Sequence, residues 1–417
     1  MRSTVRGRRH TSTPWWPIMP RRFHAASYLI LLGISFFALG LSIPAMSLIV
    51  VSKQYSLAHL SLAMVIYSVV VMLFEVPSGM FADTHGRKRC FALGLLFSSI
   101  GTALFFASSF PLLCLGFGFS GFGRAFGSGS LDALYLEAGR DAGKKLGDLV
   151  LAMEVNSSLC LSIGSLAGGF LLSLGTSGPG LTFYVVGARL VLLLLNLLLL
   201  PFLIAEPARC ERPETSGMGQ TARLLKILGS HPFLVAYILS VLLQGLLLAS
   251  LESYWQPFLR DLFDSDSQLW ILGLIAASIF AVSVLGSFAG KHLMHKMNPK
   301  HLYLFASLMV FSLLALLSFS ATIRSFLVWY VLIYLVLGIM SVVGLFLLNE
   351  EADDSVRSSL SSLSSFSLQG GGLLANLAAS LLFLVGDISM FWKVVAALGI
   401  AGILLLAKPL LQRSPRS

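Results

Sequence analysis

The chain has 417 residues, of which 56% are hydrophobic and 12% are charged, and its mean hydropathy is +0.85. Soluble domains carry roughly 25% charged residues, so this composition excludes an ordinary water-soluble domain and predicts a protein whose solvent is the bilayer. The net charge of +10 is compatible with nucleic-acid binding, but the placement of the basic residues argues against that interpretation.

Apolar runs long enough to cross a membrane recur along almost the whole chain. About 20 apolar residues span the hydrocarbon core as a helix. Twelve such spans are predicted, at approximately 25–51, 59–82, 90–109, 111–136, 146–174, 180–204, 232–256, 268–290, 301–321, 325–349, 358–385 and 390–411. The sequence therefore predicts an all-α membrane protein. Its predicted parts are a tail at 1–24, a six-helix bundle at 25–204, a linker at 205–231, a second six-helix bundle at 232–411 and a tail at 412–417.

The positions of lysine and arginine predict the orientation of these spans. With the N-terminus in the cytoplasm, 23 of the 29 basic residues fall on cytoplasmic tails, loops and the linker, and four fall on the opposite side. The remaining two, Arg124 and Arg189, lie within spans. Positive charge collects on cytoplasmic loops, so we predict cytoplasmic termini in a plasma membrane, or inner membrane in bacteria. The net charge then requires no nucleic acid.

One short basic segment, residues 79–89, links the second and third spans and reads Gly-Met-Phe-Ala-Asp-Thr-His-Gly-Arg-Lys-Arg. Its two glycines permit a sharp turn and a close approach of helices that bulkier residues would obstruct. Its carboxylate is predicted at the end of one helix, where it can accept hydrogen bonds from the next helix N-terminus and pair with arginine. The residues concerned are Gly79, Asp83, Gly86, Arg87, Lys88 and Arg89.

This spacing resembles the signature loop between helices two and three of the major facilitator superfamily. The departure is Thr84, which stands where the family usually has arginine or lysine. The resemblance implies the major facilitator fold, with 12 transmembrane helices in two pseudo-symmetric bundles. It also implies that Asp83 locks the cytoplasmic side against span eleven when the transporter faces outward. The alternative is that the basic cluster only follows the positive-inside rule.

The two halves resemble weak repeats. The segment Gly286–Lys296 is predicted in the loop after span eight as a decayed copy of the basic segment, and its first glycine follows Gly79 by 207 residues. The copy lacks the acidic residue and the Gly-Arg-Lys ending. Repeat-built transporters usually place the substrate site near the bilayer midplane between their halves.

Charged residues within spans are candidates for proton coupling. An arginine in hydrocarbon is costly unless it is paired or faces a wet cavity, and Glu75 is the predicted partner of Arg124, followed by Asp132 and Glu154. The glycine-rich sequence around Arg124 resembles the fourth helix of bacterial twelve-helix drug exporters, whose buried arginine is linked to proton coupling. A static arginine–carboxylate pair that holds two helices together is the alternative.

Span five carries the sequence Gly164-Ser-Leu-Ala-Gly168-Gly169. It is similar to the Gly-Pro-x-x-Gly-Gly motif of antiporters, with Ser165 in place of the proline that contributes a kink. The alternative is a close helix crossing at small residues.

Five other residues in or beside the spans are candidates for a substrate cavity, namely Asn156, Arg189, Gln244, Glu252 and Trp255. Glu252 and Trp255 are predicted near the outer surface, where aromatic belts and solvated carboxylates are ordinary; a role in binding cationic substrates is the alternative for Glu252. Arg189 can serve an anionic group or extend outward to water.

Two features frame span eleven. Residues 349–357 resemble an acidic cap that precedes helix eleven in the family, and Gly370–Gly372 predict a helix that is broken or thin enough to bend or pack closely.

No metal, cofactor or enzymatic site is predicted. Four scattered cysteines are interpreted as small apolar residues: Cys90, Cys114, Cys160 and Cys210. Phosphate-loop and nucleophile motifs are absent from the sequence, so transport would draw on a gradient of ions or substrate. The predicted partners are a small-molecule substrate, protons and the lipid bilayer, and the chain is predicted to be a monomer.

The resemblance covers nearly the whole chain and points most closely to drug:proton antiporters. It implies proton-coupled efflux of drugs or other lipophilic compounds. Two alternatives stay open: transport of an endogenous solute such as a sugar, amino-acid derivative or siderophore, and a non-transporting sensor or lipid-handling protein.

Overall fold

The computed structural model describes residues 25–175, 180–204, 231–263, 265, 268–351 and 357–412, with the backbone alone at 351 and 357–359. The predicted N-terminal tail, nearly all of the predicted linker and most of the C-terminal tail lie outside these ranges. The described part of the chain is helical and contains no strand.

Fourteen helices make up the described ranges. The first half contains α1 (Ala25–Ser42), α2 (Leu48–Val51), α3 (Leu57–His85), α4 (Arg87–Leu104), α5 (Phe110–Gly127), α6 (Ser130–Asp141), α7 (Leu146–Ser173) and α8 (Phe183–Leu203). The second half contains α9 (Pro232–Arg260), α10 (Trp270–Met294), α11 (Pro299–Leu317), α12 (Ile323–Glu351), α13 (Arg357–Leu382) and α14 (Ile388–Leu410).

Twelve of these helices have 18 residues or more, and each lies within or overlaps one predicted span. Nine of the described helices are long and apolar enough to cross a membrane. The other three long helices are α4, α5 and α13. Charged and polar residues lower the mean hydropathy of these three helices: α4 opens with Arg-Lys-Arg, α5 carries Arg124 and α13 is rich in serine.

Two predicted spans are not single helices. Span 25–51 divides because α1 ends at Ser42 and Pro44, which has no N–H and disfavours a helical residue before it, interrupts the path to α2. Span 111–136 divides because α5 ends at Gly127 and Gly129 adopts a left-handed conformation (φ +68°) before α6 begins.

The predicted loop around Gly286 is wrong. Helix α10 continues to Met294, so Gly286 lies inside the helix and faces α12. A Cβ atom at Gly286 would lie 2.1 Å from the Leu335 carbonyl oxygen. The glycine therefore permits helix packing, which in lipid depends on close van der Waals contact.

The predicted break at Gly370–Gly372 is also wrong, because α13 passes through all three glycines as a helix. Gly371 lies against the backbone of α9, where a Cβ atom would be 1.9 Å from the Leu242 carbonyl oxygen. Gly371 thus permits the close helix packing that was the other part of the expectation, whereas Gly370 has no heavy atom within 4 Å of its Cβ position.

The helices form two bundles that meet mainly along two seams. Helices α1 to α8 pack among themselves, as do α9 to α14; the main seams are α3 against α13 and α7 against α10, and a smaller contact joins α2 to α9. We call the end of the molecule that carries the α1–α2 connection the Ser47 end, and the end that carries the α3–α4 turn the Gly86 end. At the Ser47 end, a Cβ atom on Gly169 of α7 would lie 2.5 Å from Gly273 Cα of α10.

The two ends of the molecule differ in the contacts that join the bundles. Hydrogen bonds join buried residues of both bundles at the Ser47 end, as in the pair Tyr254–Ser61. In the Gly86 half, by contrast, the side chains of Asp83, Arg124 and Glu154 are accessible to solvent. Buried polar contacts between the bundles therefore lie at the Ser47 end, and exposed charged side chains lie in the Gly86 half.

Candidate functional site

The predicted switch loop is a single-residue turn. Gly86 has φ +99°, a conformation that side chains rarely allow, and it both ends α3 and begins α4. Gly79 lies inside α3 and has no heavy atom within 4 Å of a Cβ position, so the expected close helix approach does not occur there in this conformation. Asp83 is exposed and makes no hydrogen bond or ion pair among the described residues; the predicted acidic cap that could face it lies largely outside them.

The basic residues after this turn hold the first bundle together. Arg87 forms an ion pair with Glu137 of α6, with 3.2 Å between Nη2 and Oε1. Lys88 Nζ donates a hydrogen bond to the carbonyl oxygen of Ile204, the residue that ends α8. A cation at a helix C-terminus also interacts favourably with the helix dipole. Arg87 and Lys88 therefore connect α4 to two neighbouring helices of the same bundle.

Charged side chains from both bundles interact electrostatically with one another. Arg124 lies on the last turn of α5, and its charge acts on Asp132 of α6 and on Glu252 of α9. The charge of Glu154 on α7 also acts on Asp132. One oxygen of Asp132 is buried without a hydrogen-bond partner among the described residues. The arginine is therefore electrostatically linked to carboxylates of both bundles.

The predicted ion pair between Glu75 and Arg124 is absent from the described residues. Helix α3 meets α5 through Phe74, whose ring is 4.4 Å from that of Phe122, and through Ser78, whose hydroxyl donates to the Ala125 carbonyl at 2.8 Å. Adjacent residues on a helix point about 100° apart. Glu75 therefore points about 100° away from Phe74, and it forms no ion pair with Arg124 among the described residues.

Glu252 and Trp255 do not lie in an interfacial aromatic belt. The Trp255 side chain is only 2% exposed, and its ring centroid is 5.5 Å from that of Tyr330 on α12. Glu252 is accessible, and its charge acts on Tyr330 and Tyr334. Of the two candidates, only Glu252 has an exposed side chain.

The remaining cavity candidates have different surroundings. Asn156 Nδ2 donates to the Leu29 carbonyl of α1 at 3.1 Å, beside a groove of about 530 Å³ between α1, α7 and α8. The Nε atom of Arg189 is buried without a hydrogen-bond partner among the described residues, and its charge interacts with Tyr67 of α3. Arg189 thus points into the bundle and not outward to water. Gln244 is half-buried on α9.

The antiporter-like motif of α7 has two faces. Gly164 and Gly168 pack on α1, where Cβ atoms would lie 2.4 Å from the Phe37 carbonyl oxygen and 2.3 Å from that of Leu41. Gly169 instead faces α10 of the other bundle. The alternative interpretation, a close helix crossing at small residues, therefore applies twice: α7 packs closely on α1 and on α10.

Several interacting residues were missed by sequence reasoning. Glu137 gave no signal because its partner Arg87 is 50 residues away. Asn376, which accepts a hydrogen bond from Tyr254, is an isolated polar residue in an apolar run. The proline at 257 was a usable signal, since it leaves a carbonyl without its helical donor. In the described part of the chain, no three His, Cys, Asp or Glu residues are placed to hold a metal ion.

Two helical bundles with mostly lipid-compatible surfaces and charged groups facing the space between them define an integral membrane protein of the two-bundle carrier class. The chain belongs to the Major Facilitator Superfamily, whose sequence profile matches residues 28–376. The superfamily resemblance of the basic segment is thereby confirmed. The comparisons place the chain among transporters and not among enzymes.

Individual relatives are distant. The chain is 27% identical over 238 residues to an uncharacterized MFS-type transporter, YxaM, of Bacillus subtilis strain 168, a match that covers 56% of this chain and 58% of that protein. The crystal structure of the nucleoside transporter NupG superposes with a TM-score of 0.79 at 13% identity and covers 93% of this chain and 99% of that one. A D-xylose–proton symporter superposes with a TM-score of 0.69 at 14% identity, over 92% and 96% of the two chains. At these identities the superpositions establish the fold alone.

Proposed function

We propose that this protein is a secondary active transporter that works by alternating access and exports lipophilic compounds in exchange for protons. The observation that carries the proposal is the position of Arg124, whose charge acts on Asp132 in its own bundle and on Glu252 in the other. A cation shared between two bundles can transmit a change of charge in one of them to the contacts of the other. The assignment to drugs and protons rests on the family resemblance of this arginine.

Asp132 and Glu154 are the proposed proton-binding pair. Their negative charges repel each other, and one Asp132 oxygen is buried without a donor. A proton bound to this pair removes one negative charge from beside Arg124 and leaves the guanidinium to interact with Glu252. When the proton leaves, the negative charge that returns to the Asp132–Glu154 pair attracts Arg124 toward that pair again. Glu75, which the sequence placed first, is not part of this proposal because it is not paired with Arg124.

Loading of substrate takes place in the conformation described here. With cytoplasmic termini, the Gly86 end faces the cytoplasm, and the space between the bundles is open to that side. Arg124, Asp132, Glu154 and Glu252 together carry two net negative charges when ionised, which favours cationic substrates over anionic ones.

The test uses purified protein in liposomes with a pH-sensitive dye and an acidic lumen. Lipophilic cations are added in turn, and we expect compound-triggered proton efflux that Asp132→Asn and Glu154→Gln abolish. Asp141→Asn, an exposed carboxylate at the end of the same helix α6, is the matched control and should retain efflux. Proton efflux that persists in both Asp132→Asn and Glu154→Gln would rule out the pair as the coupling site.

A second candidate function follows from Arg189, a charged group inside the bundle without an acidic partner among the described residues. An intramembrane arginine of this kind is suited to an anionic group of a solute, which favours export or uptake of an endogenous metabolite such as an amino-acid derivative. Zwitterionic dipeptides and N-acylated amino acids, which carry a carboxylate, therefore join the liposome panel. Flux of one of these, lost in Arg189→Gln, would replace the drug-export proposal, and binding without gradient-dependent flux would favour a sensor.

A further inference from the structure

The connection between α1 and α2 is hydrogen-bonded to α9 of the other bundle. Ser47 Oγ donates to the Ser253 carbonyl at 2.5 Å and lies 3.0 Å from Gln256 Oε1. Gln256 Nε2 donates in turn to the Ile43 carbonyl at 2.8 Å. Ser47 is 0% exposed and Gln256 is 2% exposed. These polar groups are therefore removed from water and satisfied by each other across the seam.

A proline creates one of these acceptors. In a regular helix the Ser253 carbonyl would accept from the N–H of residue 257, but that residue is Pro257, which has no N–H. The carbonyl of Ser253 is left without its helical donor, and a buried unpaired carbonyl is costly. Ser47 of the opposite bundle supplies the missing donor.

A second set of contacts is made by Tyr254, the residue that follows Ser253 on α9. Tyr254 Oη donates to Ser61 Oγ of α3 at 2.9 Å and lies 3.3 Å from Asn376 Oδ1 of α13. All three side chains are buried, with exposures of 0% for Tyr254 and Ser61 and 4% for Asn376. One hydroxyl group thus joins a helix of the first bundle to two helices of the second.

We propose that these groups form a latch that closes the Ser47 end and sets the population of the conformation open at the Gly86 end. We call it the Tyr254 latch, and it consists of Ser47, Ser61, Tyr254, Gln256, Asn376 and the Ser253 carbonyl. The proposal deepens the proposed function, since it rests on alternating access. Every group in the latch can exchange its partner for water when that end opens, so the latch is reversible. Its members are positioning residues that act on the bundle contact and not on the substrate.

The test measures the Ser47 end directly, without substrate or a proton gradient. Spin labels are attached at Ala58→Cys in α3 and Asp261→Cys after α9, in protein whose four native cysteines are replaced by serine, and their distance distribution is measured in liposomes. Tyr254→Phe removes the hydroxyl and keeps the ring. We expect the ratio of long to short distances to rise about fivefold, the effect of losing one net hydrogen bond.

The matched control is Tyr303→Phe. Tyr303 is also fully buried, but its hydroxyl pairs with Ser240 inside the second bundle, so its loss should leave the distance ratio unchanged. Pro257→Ala supplies an N–H that competes with Ser47 for the Ser253 carbonyl, and it should shift the ratio in the same direction as Tyr254→Phe. If Tyr254→Phe does not fold, Ser61→Ala removes the same bond from the other side.

The outcomes separate the latch from the transport proposal. Equal distance ratios in unsubstituted, Tyr254→Phe, Ser61→Ala and Pro257→Ala protein would overturn the latch. A shifted ratio together with absent drug-driven proton flux would support the latch and count against the drug-export proposal only. A single distance in every variant, with substrate and pH gradient present, would overturn both, because alternating access itself would be missing.

Discussion

Gly169→Ala should shift the transporter away from the conformation closed at the Ser47 end. A Cβ atom at this position would lie 2.5 Å from Gly273 Cα, 2.6 Å from Gly273 N and 2.8 Å from the Trp270 carbonyl oxygen. All three atoms belong to the backbone of α10, so no side-chain rotation relieves the contact. Helix α10 must move away from α7 if the methyl group is to fit.

The size of the shift follows from the required movement. Ordinary van der Waals contact begins near 3.4 Å, so the seam must widen by about 0.9 Å at this point. Overpacking of this kind costs about 1–3 kcal/mol, which corresponds to a factor of roughly 5 to 150 in a two-state equilibrium. The cost is absent when the Ser47 end is open, because α7 and α10 are then apart at this position.

The spin-label pair at positions 58 and 261 measures this ratio. Gly147→Ala is the matched control, because Gly147 lies on the same helix and has no heavy atom within 4 Å of its Cβ position. Both substitutions replace glycine by alanine on the same helix, and only Gly169→Ala places the added methyl group against another helix. Indistinguishable distance distributions for Gly169→Ala and Gly147→Ala would refute the argument that the α7–α10 contact selects the conformation.

Three further outcomes are expected. Glu137→Gln should lower stability by about 0–1 kcal/mol, because its ion pair with Arg87 is partly exposed; a thermal unfolding scan in detergent that shows a larger loss would contradict this. Burial lowers the pKa of Lys53, so the folded state disfavours the charged form. The free energy of unfolding of the native protein, relative to that of Lys53→Met, should therefore rise as pH rises from the lowered folded pKa toward 10.5. A free-energy difference that falls over that pH range would contradict this prediction. Gly371→Ala places a Cβ atom 1.9 Å from the α9 backbone and should unfold at a lower temperature than the unsubstituted protein. Gly370→Ala, with no heavy atom within 4 Å of the added Cβ, should keep the melting temperature of the unsubstituted protein. Equal melting temperatures for the two variants would show that α9 and α13 can separate without cost.

Hydropathy predicted the long helices well because membrane solvent imposes the same length and polarity on each of them. The two divided spans show where that signal fails. Pro44 and Gly129 were visible in the sequence, but each lies within an uninterrupted apolar run, and run length alone does not register a helix break. The boundary of a helix depended here on single residues with restricted or unusual backbone conformations.

The candidate site was less predictable than the fold. Charged residues within spans could be identified, but their pairing depends on helical phase, which separated Glu75 from Arg124 although α3 and α5 pack together. Contacts between bundles, such as Ser47 with Gln256, join residues about 200 positions apart. No local pattern encodes such a pair, and only the packed arrangement of the helices brings it together.

The break between α5 and α6 has an electrostatic consequence. Arg124 occupies the last turn of α5, at the partially negative end of that helix, and Asp132 occupies the first turn of α6, at the partially positive end of the next. Each charge is therefore stabilised by the peptide dipoles of its own helix. A continuous helix through Gly129 would remove both helix ends and with them the dipole stabilisation of each charge. The discontinuity thus stabilises a positive and a negative charge on neighbouring helices, each by the dipole of its own helix and without an ion pair between them among the described residues.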